Sequence, residues 1–407
     1  MYHALDRIYC VDSTLSSQSC HQVVRYKLTT TAGVAFLLLL YVSTISISTF
    51  ADDTSASSVI SVSDLSPSFP SLIVDPMTFD EPYDAGWQLY FDNDLFTTRD
   101  TDRDYTGGFA LAFSGRRARE WWFSMDLWLD WVDSLVGIQS MQSQSDGFLR
   151  HTMEFGLVLL TPEDITATIP LPDDHPFSNF LFVANSQHVT FSDRRLILQS
   201  ALTLGLIGTR AGPEVQSLIH SATGSDVAAG WDNQISEGGE LTGKYTAMLQ
   251  KNLYQHYGRV SYEFSGSLEG NIGFNTDAAV SLSTRFGLLR SPWWSFAPHQ
   301  SDYINLGQTI TGRIDQRVLP AELFGWAGVK AKYSAYNGFL QGQFRDSAVK
   351  FDHDELRHDV YESWLGITKT WKSGFGLSFF FRNRTGEING RYSRDPLWSG
   401  FILSFTS

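Results

Sequence analysis

Asn93, Asp94 and Thr106 put oxygen-bearing side chains at the two ends of an acidic loop, inside the stretch Gly86–Ser114, GWQLYFDNDLFTTRDTDRDYTGGFALAFS. Carboxylate, amide and hydroxyl oxygens are the donors that a hard cation takes. Apolar strands on either side would set that rim of ligands beside a lipid surface, where lipid chemistry can be done. A second candidate lies in Gly212–Gly224, GPEVQSLIHSATG. There Val215, Leu218 and Ile219 fall on one helical face, while Gln216 and His220, four residues apart, share another. A short loop helix of this kind can turn its histidine toward a wall beside it.

Strands are needed to hold these residues. Trp87, Leu89 and Phe91 alternate with Gln88, Tyr90 and Asp92. Phe109, Leu111 and Phe113 alternate with Gly108, Ala110, Ala112 and Ser114. Large apolar residues on one face and small or polar ones on the other are the mark of a membrane β-barrel strand. Alternating segments continue at His151–Leu160, Ser178–Phe191, Arg194–Leu206, Lys244–Lys251, Arg259–Gly270 and Ala278–Leu289. Five more follow at Leu323–Ser334, Gly338–Phe344, Val360–Trp371, Gly374–Arg382 and Tyr392–Phe405. With Gly86–Asn93 and Gly107–Gly115 this is one segment more than an even barrel allows, so the expected fold is an all-β, antiparallel transmembrane barrel of twelve strands with short helices in its loops. Arg119–Gly137 departs from alternation: Trp121, Trp122, Met125, Trp128 and Leu129 recur at helical spacing. Two placements stay open for it, along the lipid headgroups or packed into a barrel mouth.

Composition agrees with a barrel and narrows the function. Aromatics make up 14% of the 407 residues, yet mean hydropathy is −0.14. The apolar run Ala32–Thr49 follows Arg25 and Lys27 and ends at Phe50-Ala51, the pattern of a secretory signal. The expected organisation is a targeting segment at 1–51, a Ser-, Asp- and Pro-rich lead-in at 52–84 and the barrel at 85–407. Both cysteines, Cys10 and Cys20, precede the signal-like run. A mature chain without cysteine excludes a disulfide scaffold, a thiol nucleophile and Cys-ligated zinc. A net charge of −14 argues against nucleic acid as a partner. No P-loop and no Gly-x-Ser-x-Gly elbow is present.

Six motifs, in order, resemble the outer-membrane lipid A deacylase family. They are FDNDLF at Phe91–Phe96, DRDYTGG at Asp102–Gly108, LTPEDI at Leu160–Ile165, DDHPFSNFLF at Asp173–Phe182, GLIGTRAGPEVQSLIHSATG at Gly205–Gly224 and GWDNQ at Gly230–Gln234. The resemblance covers about residues 85–300, and the later strands follow by pattern. It implies a calcium-dependent 3′-O-deacylase working on lipid A of lipopolysaccharide as a monomer in the outer membrane of a Gram-negative bacterium. It further implies His220 as general base, Asn93 and Asp94 at the calcium site, Thr106 as support, and Asp226 as a further ligand. The chemistry is coherent. A histidine can take the proton of a water, a calcium ion can polarise an ester carbonyl, and no serine nucleophile is needed.

Two departures from the family pattern bear on activity. Thr161–Pro176 lacks the lysine that follows the Thr-Pro motif in the family, and His175-Pro176-Phe177 stands where many members have Arg-Pro-Tyr. A structural reading competes at each site. Asp94 would otherwise be a solvated turn residue and His220 a structural histidine; the ordered motifs favour the site for these two. For Thr106 and Asp226 both readings stand, while Gln216 and Gln234 read as bracing residues. The alternatives in function are an outer-membrane phospholipase, for which no Ser and Asn partners of the histidine are identifiable, and a non-catalytic pore.

Overall fold

The computed structural model describes residues 81–94, 104–143, 149–191, 193–305, 321–390 and 393–407. The targeting segment expected at 1–51 and most of the lead-in lie outside the described residues.

Among the described residues, twelve antiparallel strands close into one barrel. The first six are β1 (Gly86–Asn93), β2 (Asp104–Ser114), β3 (Leu149–Thr161), β4 (Ser178–Phe191), β5 (Leu196–Ile207) and β6 (Glu240–His256). The rest are β7 (Ser261–Gly273), β8 (Asn275–Leu288), β9 (Glu322–Asn337), β10 (Asp359–Thr370), β11 (Phe375–Arg384) and β12 (Leu397–Thr406). Each strand pairs with its sequence neighbours, and β1 closes on β12 from Gly86↔Thr406 to Asn93↔Ser399. Closure leaves no strand edge unpaired, which is the condition for a sheet to cross hydrocarbon. No helix among the described residues is long and apolar enough to cross a membrane.

Alternation sets which face is which. On β10, Tyr361, Leu365 and Ile367 are exposed while Val360, Glu362 and Trp364 are buried. The exposed series is the lipid face. The inward series meets in a lumen core that includes Tyr90, Tyr105, Phe180, Trp326, Trp364 and Trp398. The chain after β8 also enters this core, through Leu289, Tyr303 and Ile304. Lumen cations hold it there: Lys244 donates to the Ser301 carbonyl at 3.0 Å, Lys330 to the Gln300 carbonyl at 2.6 Å, and Lys332 pairs with Asp302 at 2.9 Å. Tyr303 stacks on Tyr105 with ring centroids 4.4 Å apart.

Short helices occupy the connections. They are α1 (Arg116–Glu120), α2 (Asp126–Val136), α3 (Ile138–Gln142), α4 (Ala211–Thr223) and α5 (Gly338–Gln341). Two expectations change here. Gly338–Phe344 is not a strand: the Asn337 side chain caps Phe339, the Gly338 amide donates to Phe274, and the chain coils into α5. Removing it leaves the even twelve. The helical stretch Arg119–Gly137 is broken at Trp121–Met125, between α1 and α2. It does not plug a barrel mouth, for α2 packs against β4 and β5 from outside.

Candidate active site

The site is built on the lipid-facing side of the barrel rim. Asn93 ends β1 on the same face as Trp87, Leu89 and Phe91, but it is buried. Its amide Nδ2 donates to the Thr106 carbonyl at 2.7 Å, which fixes the orientation of the side chain. A β-bulge between Tyr105 and Gly107 breaks the register of β2 against β3. The extra residue re-aims its neighbours, as bulges do. Tyr105 turns inward and donates to Asp92 at 2.5 Å, whereas Thr106 meets Thr161, hydroxyl to hydroxyl, at 2.6 Å. Thr161 continues the outward series Phe155, Leu157 and Leu159 at the end of β3. Gly107 makes this crossing possible, since a Cβ there would stand 2.8 Å from the Asp92 carbonyl oxygen. Asp94 follows Asn93 and is also buried.

The second part is α4, lying on the outward side of β3 and β4. Its amphipathicity is the reverse of that of a helix on a soluble core. Gln216 and His220 are buried, while Val215 and Leu218 are exposed. Gln216 accepts a hydrogen bond from the Trp231 indole at 2.7 Å. Trp231 packs with Leu159, Ile165 and Phe177, so the helix is pinned to the outside of β3. Asn179, outward on β4, donates to the Thr209 carbonyl at 2.9 Å and to Gln234 at 2.6 Å, fastening both ends of the connection.

Gly224 ends α4 with φ of 76°, a left-handed conformation that suits glycine. The chain then folds back over His220, and the Asp226 carbonyl meets His220 Nδ1. A carbonyl only accepts, so Nδ1 carries the proton and Nε2 is the basic nitrogen. The Asp226 residue itself is exposed.

The expected residues therefore fall into two groups on one sector of the rim. Asn93, Thr106 and, newly, Thr161 form one; His220 and the Asp226 carbonyl form the other. Thr161 stands in the LTPEDI motif with the parity of Leu157 and Leu159, a signal the sequence carried. The donor set around Asn93, Asp94 and the two threonines is all oxygen, which fits a hard cation in type. Among the described residues no three His, Cys, Asp or Glu side chains gather as a metal cluster, so a cation here would rely on amide, hydroxyl and carbonyl oxygens beside Asp94. Residues 95–103, with Asp100 and Asp102, lie outside the described residues. The Thr161–Pro176 segment takes a cation from another loop: Arg394 pairs with Asp174 and, at 3.3 Å, with Glu163.

The LpxR outer membrane protein family model matches residues 38–406. Among solved structures, LpxR from Salmonella typhimurium superposes with a TM-score of 0.61 at 17% identity, covering 79% of this chain and 100% of that one. The β domain of the Bordetella autotransporter BrkA matches with a TM-score of 0.35 at 9% identity, over 80% of this chain and 100% of that one. No curated protein matches significantly. With a family match over most of its length and the twelve-stranded barrel that goes with it, this chain is a member of the LpxR outer membrane protein family.

Proposed function

We propose that the protein hydrolyses an acyl ester of lipid A at the lipid-facing rim of its barrel, removing the 3′-linked acyloxyacyl chain with a water activated by His220. One observation carries this reading: His220 is buried on the outer wall with Nδ1 tied to the Asp226 carbonyl, which makes Nε2 the basic nitrogen. In the proposed reaction Nε2 takes a proton from water and the hydroxide adds to the ester carbonyl carbon. The tetrahedral intermediate then expels the sugar-side oxygen, which takes the proton back, leaving a free acid and an alcohol. Asn93 and Asp94 are proposed to hold calcium, with Thr106 fixing the Asn93 amide. When bound, the ion supplies charge to the ester carbonyl oxygen. Asp226 is assigned the role of holding His220 through its carbonyl. The protein is proposed to act as a monomer.

The pore reading is disfavoured by the lumen, which the Leu289–Ile304 segment and its lysine partners fill. Purified protein in mixed micelles with lipid A, followed by mass spectrometry, tests the calcium role. Acyl loss should stop with a calcium chelator and return with excess calcium. Undiminished cleavage in chelator would remove the metal from the mechanism.

A further inference from the structure

The connection between β2 and β3 leaves from the rim opposite the candidate site and lies on the outside of the barrel. Three carboxylates of α2 face the wall. Gln187 donates to Asp126 at 3.2 Å and to Asp130 at 2.7 Å. Ser200 and Tyr245 each donate to Asp133 at 2.6 Å. Asn185 accepts from the Met125 amide at 3.2 Å and donates to Ser124 at 2.9 Å. Strand parity shows which side these partners occupy. Asn185 and Gln187 follow Leu181 and Val183 on β4; Ser200 precedes Leu202, Leu204 and Leu206 on β5; Tyr245 lies between Leu241 and Leu249 on β6. The inward positions on the same strands are Phe180 and Phe182, Ile207, and Lys244. The wall therefore carries a polar stripe where lipid would otherwise touch it. Leaving such groups bare in hydrocarbon costs several kcal/mol each, and α2 covers them.

The other face of α2 has no protein over it among the described residues. Leu127 is 76% exposed, Trp128 62%, Trp131 63% and Leu135 65%. Their spacing places them along one side of the helix. A helix on a soluble surface has the opposite arrangement, with carboxylates out and tryptophans in. The chain that leads into α2 already lies on the lipid-facing wall. Trp121 packs edge-on against Phe113 and Phe155, each 5.8 Å away, and both are outward residues of β2 and β3.

We propose that α2 is immersed in the bilayer, mounted on the outer wall by its carboxylates, with Leu127, Trp128, Trp131 and Leu135 in contact with phospholipid acyl chains. Phospholipid is the occupant because the helix is entered from, and mounted on, a surface that is itself lipid-facing. On this reading the helix is a polar-to-apolar adaptor that lets β4, β5 and β6 carry Asn185, Gln187, Ser200 and Tyr245 on a membrane surface.

Site-directed spin labelling of the full chain in phospholipid vesicles tests it. In a Cys10→Ser, Cys20→Ser background, labels are placed at Leu127→Cys and Leu135→Cys. Leu282→Cys on the lipid face of β8 and Asp354→Cys in an exposed loop serve as references. All four positions are exposed in the protein, so labelling leaves packing intact, and heat-modifiable mobility confirms each barrel. The α2 labels should collide readily with oxygen and be shielded from a water-soluble nickel complex, as at Leu282. Accessibility like that of Asp354 would place the helix in water and overturn the proposal. Dipolar broadening would do the same by seating a second copy on the face. Shielding from both reagents without broadening would mean that the chain itself covers it, again overturning the proposal.

Discussion

His220 is held by a main-chain carbonyl, and this distinguishes two roles for Asp226 that a motif alone cannot separate. If the residue acts through its carbonyl, Asp226→Asn keeps the bond to Nδ1 and should leave lipid A hydrolysis within a few-fold of the parent. If the carboxylate binds calcium, the same variant should need far more calcium for half-maximal rate, and a calcium titration of the two proteins decides. Thr106→Val is a sharper perturbation. It removes the hydroxyl that meets Thr161 at 2.6 Å while keeping the carbonyl that Asn93 uses. One such bond contributes about 1 kcal/mol, so the barrel should survive, but a misplaced rim should slow turnover by up to about 100-fold. Unchanged turnover in Thr106→Val would make the pair purely structural. Asn93, Asp94, Thr106 and His220 were all legible as candidates, because motif order and strand ends mark them. Thr161 was not singled out. Its partnership with Thr106 depends on a bulge at Tyr105/Gly107, and an unpaired residue leaves no trace in period-two alternation.

At the scale of elements, strands with strong alternation were readable almost to the residue, as in Gly86–Asn93 and Ser178–Phe191. The misreading at Gly338–Phe344 has a physical cause. A short apolar run carries no information on whether a partner strand exists, and here a cap at Asn337 starts a helix instead. Nothing in the alternation marks the segment after β8, because only the lysines on other strands make it a lumen element. Within it, His299 sits against Ser281 at 3.2 Å and edge-on to Trp364. Burial, then Lys330, with Arg382 adding to it, pushes its pKa down to about 3, against opposing pulls from Glu269 and Glu362. A released imidazole titrates near 6.5. Between those values the unfolded chain binds more protons than the native one. The stabilisation is therefore complete above about pH 6.5 and is lost as pH falls toward about 3. His299→Gln should flatten the acid limb of stability, read as the thermal midpoint of heat-modifiable mobility between about pH 7 and about pH 5. Equal acid sensitivity in parent and variant would assign that limb to other groups.

For the molecule as a whole, the barrel is filled where a channel would be open. Its lumen is filled with aromatics, ion pairs and the Leu289–Ile304 segment. The carefully built polar features, the Asn93–Thr106–Thr161 cluster, His220 and the α2 carboxylates, lie on the outer wall. That placement makes sense for a protein whose substrate arrives laterally through the membrane, and composition could indicate the barrel but not which face carries its chemistry. The central claim is that His220 activates the water that cleaves lipid A. The most direct measurement is the acyl-loss rate, by mass spectrometry, of the parent protein and of His220→Ala with lipid A and calcium. Both should show the heat-modifiable mobility of a closed barrel. The variant should be slower by about two to four orders of magnitude, the range usual for loss of a general base. Cleavage by folded His220→Ala at close to the parent rate, or intact lipid A in the presence of the folded parent, would contradict the account.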